Sequence, residues 1–244
     1  MNASAFALLL GVQVLRGDTI WFPTPVVDAV PSGARSAWIL TADGGLWHLQ
    51  GRPFWHLVRL PYSASDAVAL AGSPQRIYLW DRSGAIVVLD SRGAVLRRIP
   101  FSSETGGMHF SIRYGLLVWS RFEIRELDPV TGAIHRRVRF SEAIRDVIRD
   151  ESGRTYRLHP GVVVLEGRTG MDSLRIPVPL EVERIRMLPT GLLLVARNWS
   201  GCLSFSGSRE IARIPGRILV AWPDGTVLIA AGERLYAFRQ ACSQ

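Results

Sequence analysis

The chain is 244 residues long, with 48% hydrophobic and 20% charged residues; that is ample for a buried core and too apolar for a disordered polyelectrolyte. Its net charge is +8, and every one of its 29 basic residues is arginine. Without lysine it has neither a Schiff-base amine nor a phosphate-loop lysine, and no apolar run reaches the roughly 20 residues of a spanning helix.

In chain order, the first apolar stretch runs from Ala5 to Leu15. It has the length of a signal-peptide core, but no basic residue precedes it and no small-x-small cleavage site follows. Residues 1–15 therefore read either as a leader, which would export the protein to the periplasm or the cell exterior, or as a leading strand. The preference here is for export.

From there on the sequence repeats itself. Short apolar segments recur as VVDAV (26–30), DAVAL (66–70), GMHFS (107–111), AIRDV (143–147), VERIR (182–186) and RILVA (217–221), about 38 residues apart. Each precedes a second strand-like run (SAWILT, RIYLW, GLLVWS, RTYRL, GLLLVA, TVLIA) and a third (GLWHL, AIVVLD, EIREL, GVVVLE, GCLSF, RLYAF). A fourth ends most units near proline: FWHLVRLP, AVLRRIP, AIHRRVRF, SLRIPVP and EIARIP. Between the runs stand ADGG, DRSG, DSRG, DPVTG, DESG and PDG. In these the Asp carboxylate bonds nearby amides and Gly takes the positive φ that a tight turn needs. Runs of four to eight residues rich in Val, Ile, Leu and aromatics, with turns at this spacing, predict antiparallel strands and no amphipathic helix. Four strands repeated at a period near 40 predict a propeller.

The last unit lacks its fourth strand, since the chain ends shortly after Phe238, and RGDTIWFPTP (16–25) has the pattern of RGAVLRRIPF. Pairing that N-terminal strand into the last blade removes an exposed edge. The expected fold is all-β, a six-bladed β-propeller of four-stranded antiparallel blades closed by an N-terminal strand, with residues 16–244 as one domain.

RIYLWDRSGAIVVLDSRGAVLRRI (76–99) resembles the NHL-like six-bladed propeller repeat, and ELDPVTGAIHRRV (126–138) is similar to the pyrroloquinoline-quinone-type repeat. The resemblance covers about Arg16 to Phe238 and lies in structural turns. It implies a fold shared by lactone hydrolases, peptide-processing enzymes and protein or RNA binders, among which fold alone does not choose.

The search for chemistry is mostly negative. There is no G-x-S-x-G, H-E-x-x-H, C-x-x-C, EF-hand or phosphate-loop motif. His48, His56, His109, His135 and His159 have no metal-ligand spacing, and His48 with His56 reads as a surface pair. The first strands mix Asp28, Asp66, Asp146 and Glu183 with Arg145, Arg184, Arg186 and Arg217, the composition of a salt-bridged lining rather than a carboxylate cage. No catalytic residue, metal ligand or cofactor is assigned. Cys202 and Cys242 form either one bridge or two ordinary thiols. Asn198-Trp199-Ser200 and Arg16-Gly17-Asp18 are read as a turn and as the start of the closing strand, and Trp80 and Trp119 as inter-blade packing.

The hairpins between second and third strands carry the candidate binding residues: Asp81, Arg82, Arg121, His159, Arg197 and Trp199, with Asp43, Glu123, Asn198 and Glu233 at equivalent places. Arginine forks beside an aromatic ring suit a protein or anionic partner. Arginine interspersed with Asp and Glu along the chain argues against a nucleic-acid groove, and nothing sets the oligomeric state. The expected function is non-enzymatic binding or scaffolding. The alternatives are a lactonase-type hydrolase and a polyanion-binding module.

Overall fold

The fold comes from a computed structural model, which describes residues 13–51, 55–101, 106–167, 172–188, 191–204, 212–222, 224 and 226–239. Every regular element among them is a strand. The first, β1 (Gln13–Trp21), precedes the first repeat. Five sheets then follow in order: β2 (Val26–Gly33), β3 (Ser36–Thr41), β4 (Gly45–Gly51) and β5 (Trp55–Ser63); β6 (Ala67–Gly72), β7 (Arg76–Asp81), β8 (Ala85–Asp90) and β9 (Val95–Pro100); β10 (Gly107–Ser111), β11 (Gly115–Trp119), β12 (Glu123–Leu127) and β13 (Ile134–Arg139); β14 (Asp146–Arg149), β15 (Thr155–His159), β16 (Val162–Glu166) and β17 (Asp172–Pro177); β18 (Val182–Leu188), β19 (Gly191–Ala196), β20 (Trp199–Ser204) and β21 (Ala212–Pro215). The sixth takes β22 (Arg217–Ala221), β23 (Thr226–Ala231) and β24 (Arg234–Arg239) and recruits β1 as its fourth strand, in the order β1-β24-β23-β22. Six four-stranded antiparallel blades make this a six-bladed β-propeller. β1 begins at Gln13, and its pairing with β24 is irregular between Val14 and Thr19, where Arg16-Gly17-Asp18 falls.

The turns are built as their composition predicts. The Asp81 carboxylate accepts the Ser83 hydroxyl at 2.5 Å and the Ala85 amide at 3.0 Å, and Gly84 takes φ 86°. Asp90 accepts the amides of Arg92 and Ala94, both at 2.9 Å, and Gly93 takes φ 87°. Only glycine adopts that backbone at little cost, which is why the punctuation recurs. The fourth repeat differs from expectation: its first strand starts at Asp146 rather than at Ala143. The chain before it is engaged elsewhere, since Phe140 and Ile144 donate their amides to the carbonyls of Phe122 and Arg121.

Two compact units divide the chain: Met1–Ser63 with Arg186–Gln244, and Ala64–Ile185. The first has a core of Ile39, Leu49, Leu219, Trp222, Leu228 and Leu235. In the second, Tyr78, Trp80, Ile86, Met108, Leu116 and Val118 form one cluster, and Trp119, Ile124 and Val147 belong to another. Trp80 meets Phe101 edge-on, with 5.2 Å between ring centres. Burying one such ring removes about 150–250 Å² from water and is worth about 4–6 kcal/mol. Outer strands are the reverse: β9 and β13 are exposed along almost their whole length. Their arginines blunt the open sheet edge against pairing with another chain.

Candidate functional site

In each antiparallel sheet the start of the first strand, the hairpin between the second and third, and the end of the fourth share one edge. The pairs Ala67↔Asp81 and Ala85↔Pro100 show this in one blade, and Gly107↔Trp119 and Glu123↔Arg139 in the next. In the unit Ala64–Ile185 this edge is stitched by backbone hydrogen bonds. Phe101 donates to Gly84, Phe140 to Phe122, Ile144 to Arg121 and Val178 to Gly161, at 2.7–3.0 Å. Side chains there stand on a rigid backbone.

Of the residues expected at this edge, Arg82 and Arg121 are exposed. The Arg121 guanidinium lies 5.1 Å from the centre of the Phe122 ring, which is itself exposed. Asp81 serves the turn rather than solvent, and Arg98 donates to its second oxygen at 3.3 Å. Burial raises its pKa, but bonds from Ser83, Ala85 and Arg98 outweigh that and hold the carboxyl below its ordinary value. His159 is buried at 3% exposure, beneath the surface rather than on it. Its Nδ1–H donates to the Ala143 carbonyl at 3.0 Å, with Glu142 3.8 Å away. Burial lowers its pKa, so the ring is neutral at pH 7. In the other unit, Arg197 and Asn198 are exposed on the β19–β20 turn and Trp199 opens β20 half-buried. Ser200 of the Asn-Trp-Ser sequon is fully buried; its hydroxyl donates to the Gly216 carbonyl at 2.9 Å and accepts the Ile218 amide at 3.0 Å.

The feature that sequence reading missed is the company of Glu123. Its carboxylate takes Arg125 on one oxygen and, on the other, Arg137 at 2.7 Å and Arg139 at 3.1 Å. Burial pushes its pKa up, yet the three guanidiniums bring it down to about 2. The visible signal is the arginine run of β13 facing a lone Glu at the head of β12. Which arginines meet that Glu depends on register. Behind it lies a second network. Glu126 accepts Arg149 at 2.6 Å and Arg136 at 3.3 Å, while Glu166 accepts Arg136 and Arg157, both at 3.1 Å.

The chain is similar to the WD40 β-propeller domain of Doa1, seen in a crystal structure, over 95% of this chain and 98% of that one. The TM-score is 0.64 and the identity 8%. The likeness is one of fold. No family model matches the chain, and no curated protein matches it.

On and beside the first strands of this propeller, arginines and buried carboxylates bond backbone groups. Asp146, 4% exposed, accepts the amides of Val147 at 3.0 Å and Ile185 at 2.8 Å, so it ties β14 to the next blade's first strand. Asp28, also buried, accepts the Ala29 amide at 3.0 Å. Arg145 donates to the carbonyls of Leu180 and Val182, and Arg186 to that of Leu219. Asp66 and Glu183 are exposed. Among the described residues no three His, Cys, Asp or Glu side chains group as metal ligands. His48 is half-buried: its ring stacks on Trp38 at 3.9 Å and contacts the Ser32 hydroxyl and the Gln50 amide, each at 3.2 Å. Cys202 is half-buried in β20, and Cys242 lies outside the described residues.

Proposed function

We propose that the chain is a non-enzymatic binding module whose hairpin edge takes an acidic partner protein. One observation carries this reading. On the edge of the unit Ala64–Ile185, three arginines share the single carboxylate of Glu123, and Arg82 and Arg121 stand exposed on the β7–β8 and β11–β12 hairpins of that edge. Guanidinium forks suit carboxylates and phosphates, and the exposed Phe122 ring under Arg121 supplies the aromatic contact common at binding hot spots. Asp81 holds the turn that carries Arg82, and His159 holds the crossing under Arg121. Arg197 and Trp199 occupy the corresponding edge of the sheet β18–β21. The repeated Asp-x-x-Gly turns support a place near the NHL-like and pyrroloquinoline-quinone-type propellers.

The test is the triple variant Arg82→Ala, Arg121→Ala, Arg197→Ala, used with wild type to capture partners from native extract. Exposed turns contribute little to stability, so its melt should match wild type while its captured partners are lost. A triple variant that holds the same partners with the same affinity removes the hairpin edge from the function.

A further inference from the structure

We infer that the arginine cluster around Glu123 is a binding site for a phosphomonoester carried on a peptide segment of a partner protein. Arg137 and Arg139 are its ligands, and Glu123 and Arg125 are positioning residues. This rests on the reading of the hairpin edge as a surface for anionic groups.

The geometry starts from register. Glu123 pairs with Arg139 and Arg125 with Arg137 across β12 and β13. Alternate residues of a strand share a face, so these four side chains project together. The Glu123 carboxylate is 10% exposed, Arg125 is 19% exposed, and Arg137 and Arg139 are 48% and 74% exposed. Arg125 is used up inside: it pairs with Glu123 and lies 4.5 Å over the Phe101 ring. Arg139 reaches Glu123 through Nε, and Arg137 through both Nε and Nη2. Tied there, both still have N–H groups to spare, since a guanidinium has five donors and a carboxylate only about four acceptor sites. Anchoring removes much of the rotamer freedom that an arginine otherwise gives up on binding.

Charge selects the ligand class. Three guanidiniums against one carboxylate leave two positive charges in surplus among the described residues. One ligand carboxylate would offset half of that. A phosphomonoester carries about −1.5 to −2 at pH 7 and offers three acceptor oxygens to two forks. A peptide carrier is favoured by what adjoins the cluster. Phe122, 44% exposed and next in sequence to Glu123, offers an apolar contact to a residue beside the phosphorylated one. Its backbone is held by the Phe140 amide.

The experiment uses the full chain and immobilised degenerate peptides with a central phosphoserine, beside the same library with serine. Wild type should be retained about tenfold more on the phosphorylated library, and inorganic phosphate should release it. Arg137→Ala with Arg139→Ala should lose that preference; its melt falls because Glu123 keeps only Arg125, so retention is compared well below that melt. Arg92→Ala, at an exposed arginine of the β8–β9 turn, should keep the preference. Equal retention on the two libraries overturns the proposal, as does a preference that survives the double variant. Binding to phosphatidic-acid vesicles without any library preference also overturns it. A partner that still depends on Arg82 and Arg121, with no library preference, removes the phosphate assignment and leaves the acidic-partner reading standing.

Discussion

Asp146 offers the sharpest test of how neighbouring blades are joined. Its carboxylate is 4% exposed and accepts two buried amides, Val147 within its own strand and Ile185 on β18. Asp146→Ala withdraws the acceptor from both. A buried amide left without its partner costs about 1–3 kcal/mol, so the pair comes to about 4 kcal/mol. For a chain of this size each kcal/mol lowers the Tm by about 2–4 °C, which gives a drop of about 8–16 °C. Asp146→Asn keeps one acceptor oxygen and sets an NH2 group against the other amide, so it should lose about half as much. Differential scanning calorimetry at pH 7 on the three proteins reads both shifts. If Asp146→Ala melts within about 2 °C of wild type, the carboxylate is not what joins β14 to β18.

Glu123→Gln should melt below wild type at pH 7. In the native protein the carboxyl titrates at about 2, against an ordinary value of 4.5. Between those values the unfolded chain binds more protons, so stability from the ionised form is full above about 4.5 and is lost as pH falls towards about 2. The gap between variant and wild type should therefore close over that window; a gap that stays constant down to pH 2 assigns the loss to packing instead of charge. Deleting residues 1–24 removes β1 and exposes β24 as a free edge. Soluble aggregate or a sharply lower Tm is expected, and a melt like that of the full chain would show that β1 is dispensable.

What the sequence determined by itself is local. Strand runs announce themselves through β-branched and aromatic residues, and the Asp-x-x-Gly turns bond within four residues, as Asp81 does to Ala85 and Asp90 to Ala94. Such contacts need no tertiary information. Their period is enough for the blade count and for the empty fourth place that β1 fills. The site is different because its partners are set by register and packing. Arg137 and Arg139 stand 14 and 16 residues from Glu123 and meet it only because β12 and β13 pair Glu123 with Arg139. A slip of one residue would turn those side chains to the other face. His159 reads as a turn residue, yet the crossing through Ala143 folds over it and makes it a buried donor. Asp146 reads as one of a row of acidic residues, and only the seating of β18 against β14 turns its charge to backbone amides. Periodicity belongs to single strands and survives in sequence, whereas the partner of a charged side chain is chosen by whichever strand the fold places beside it.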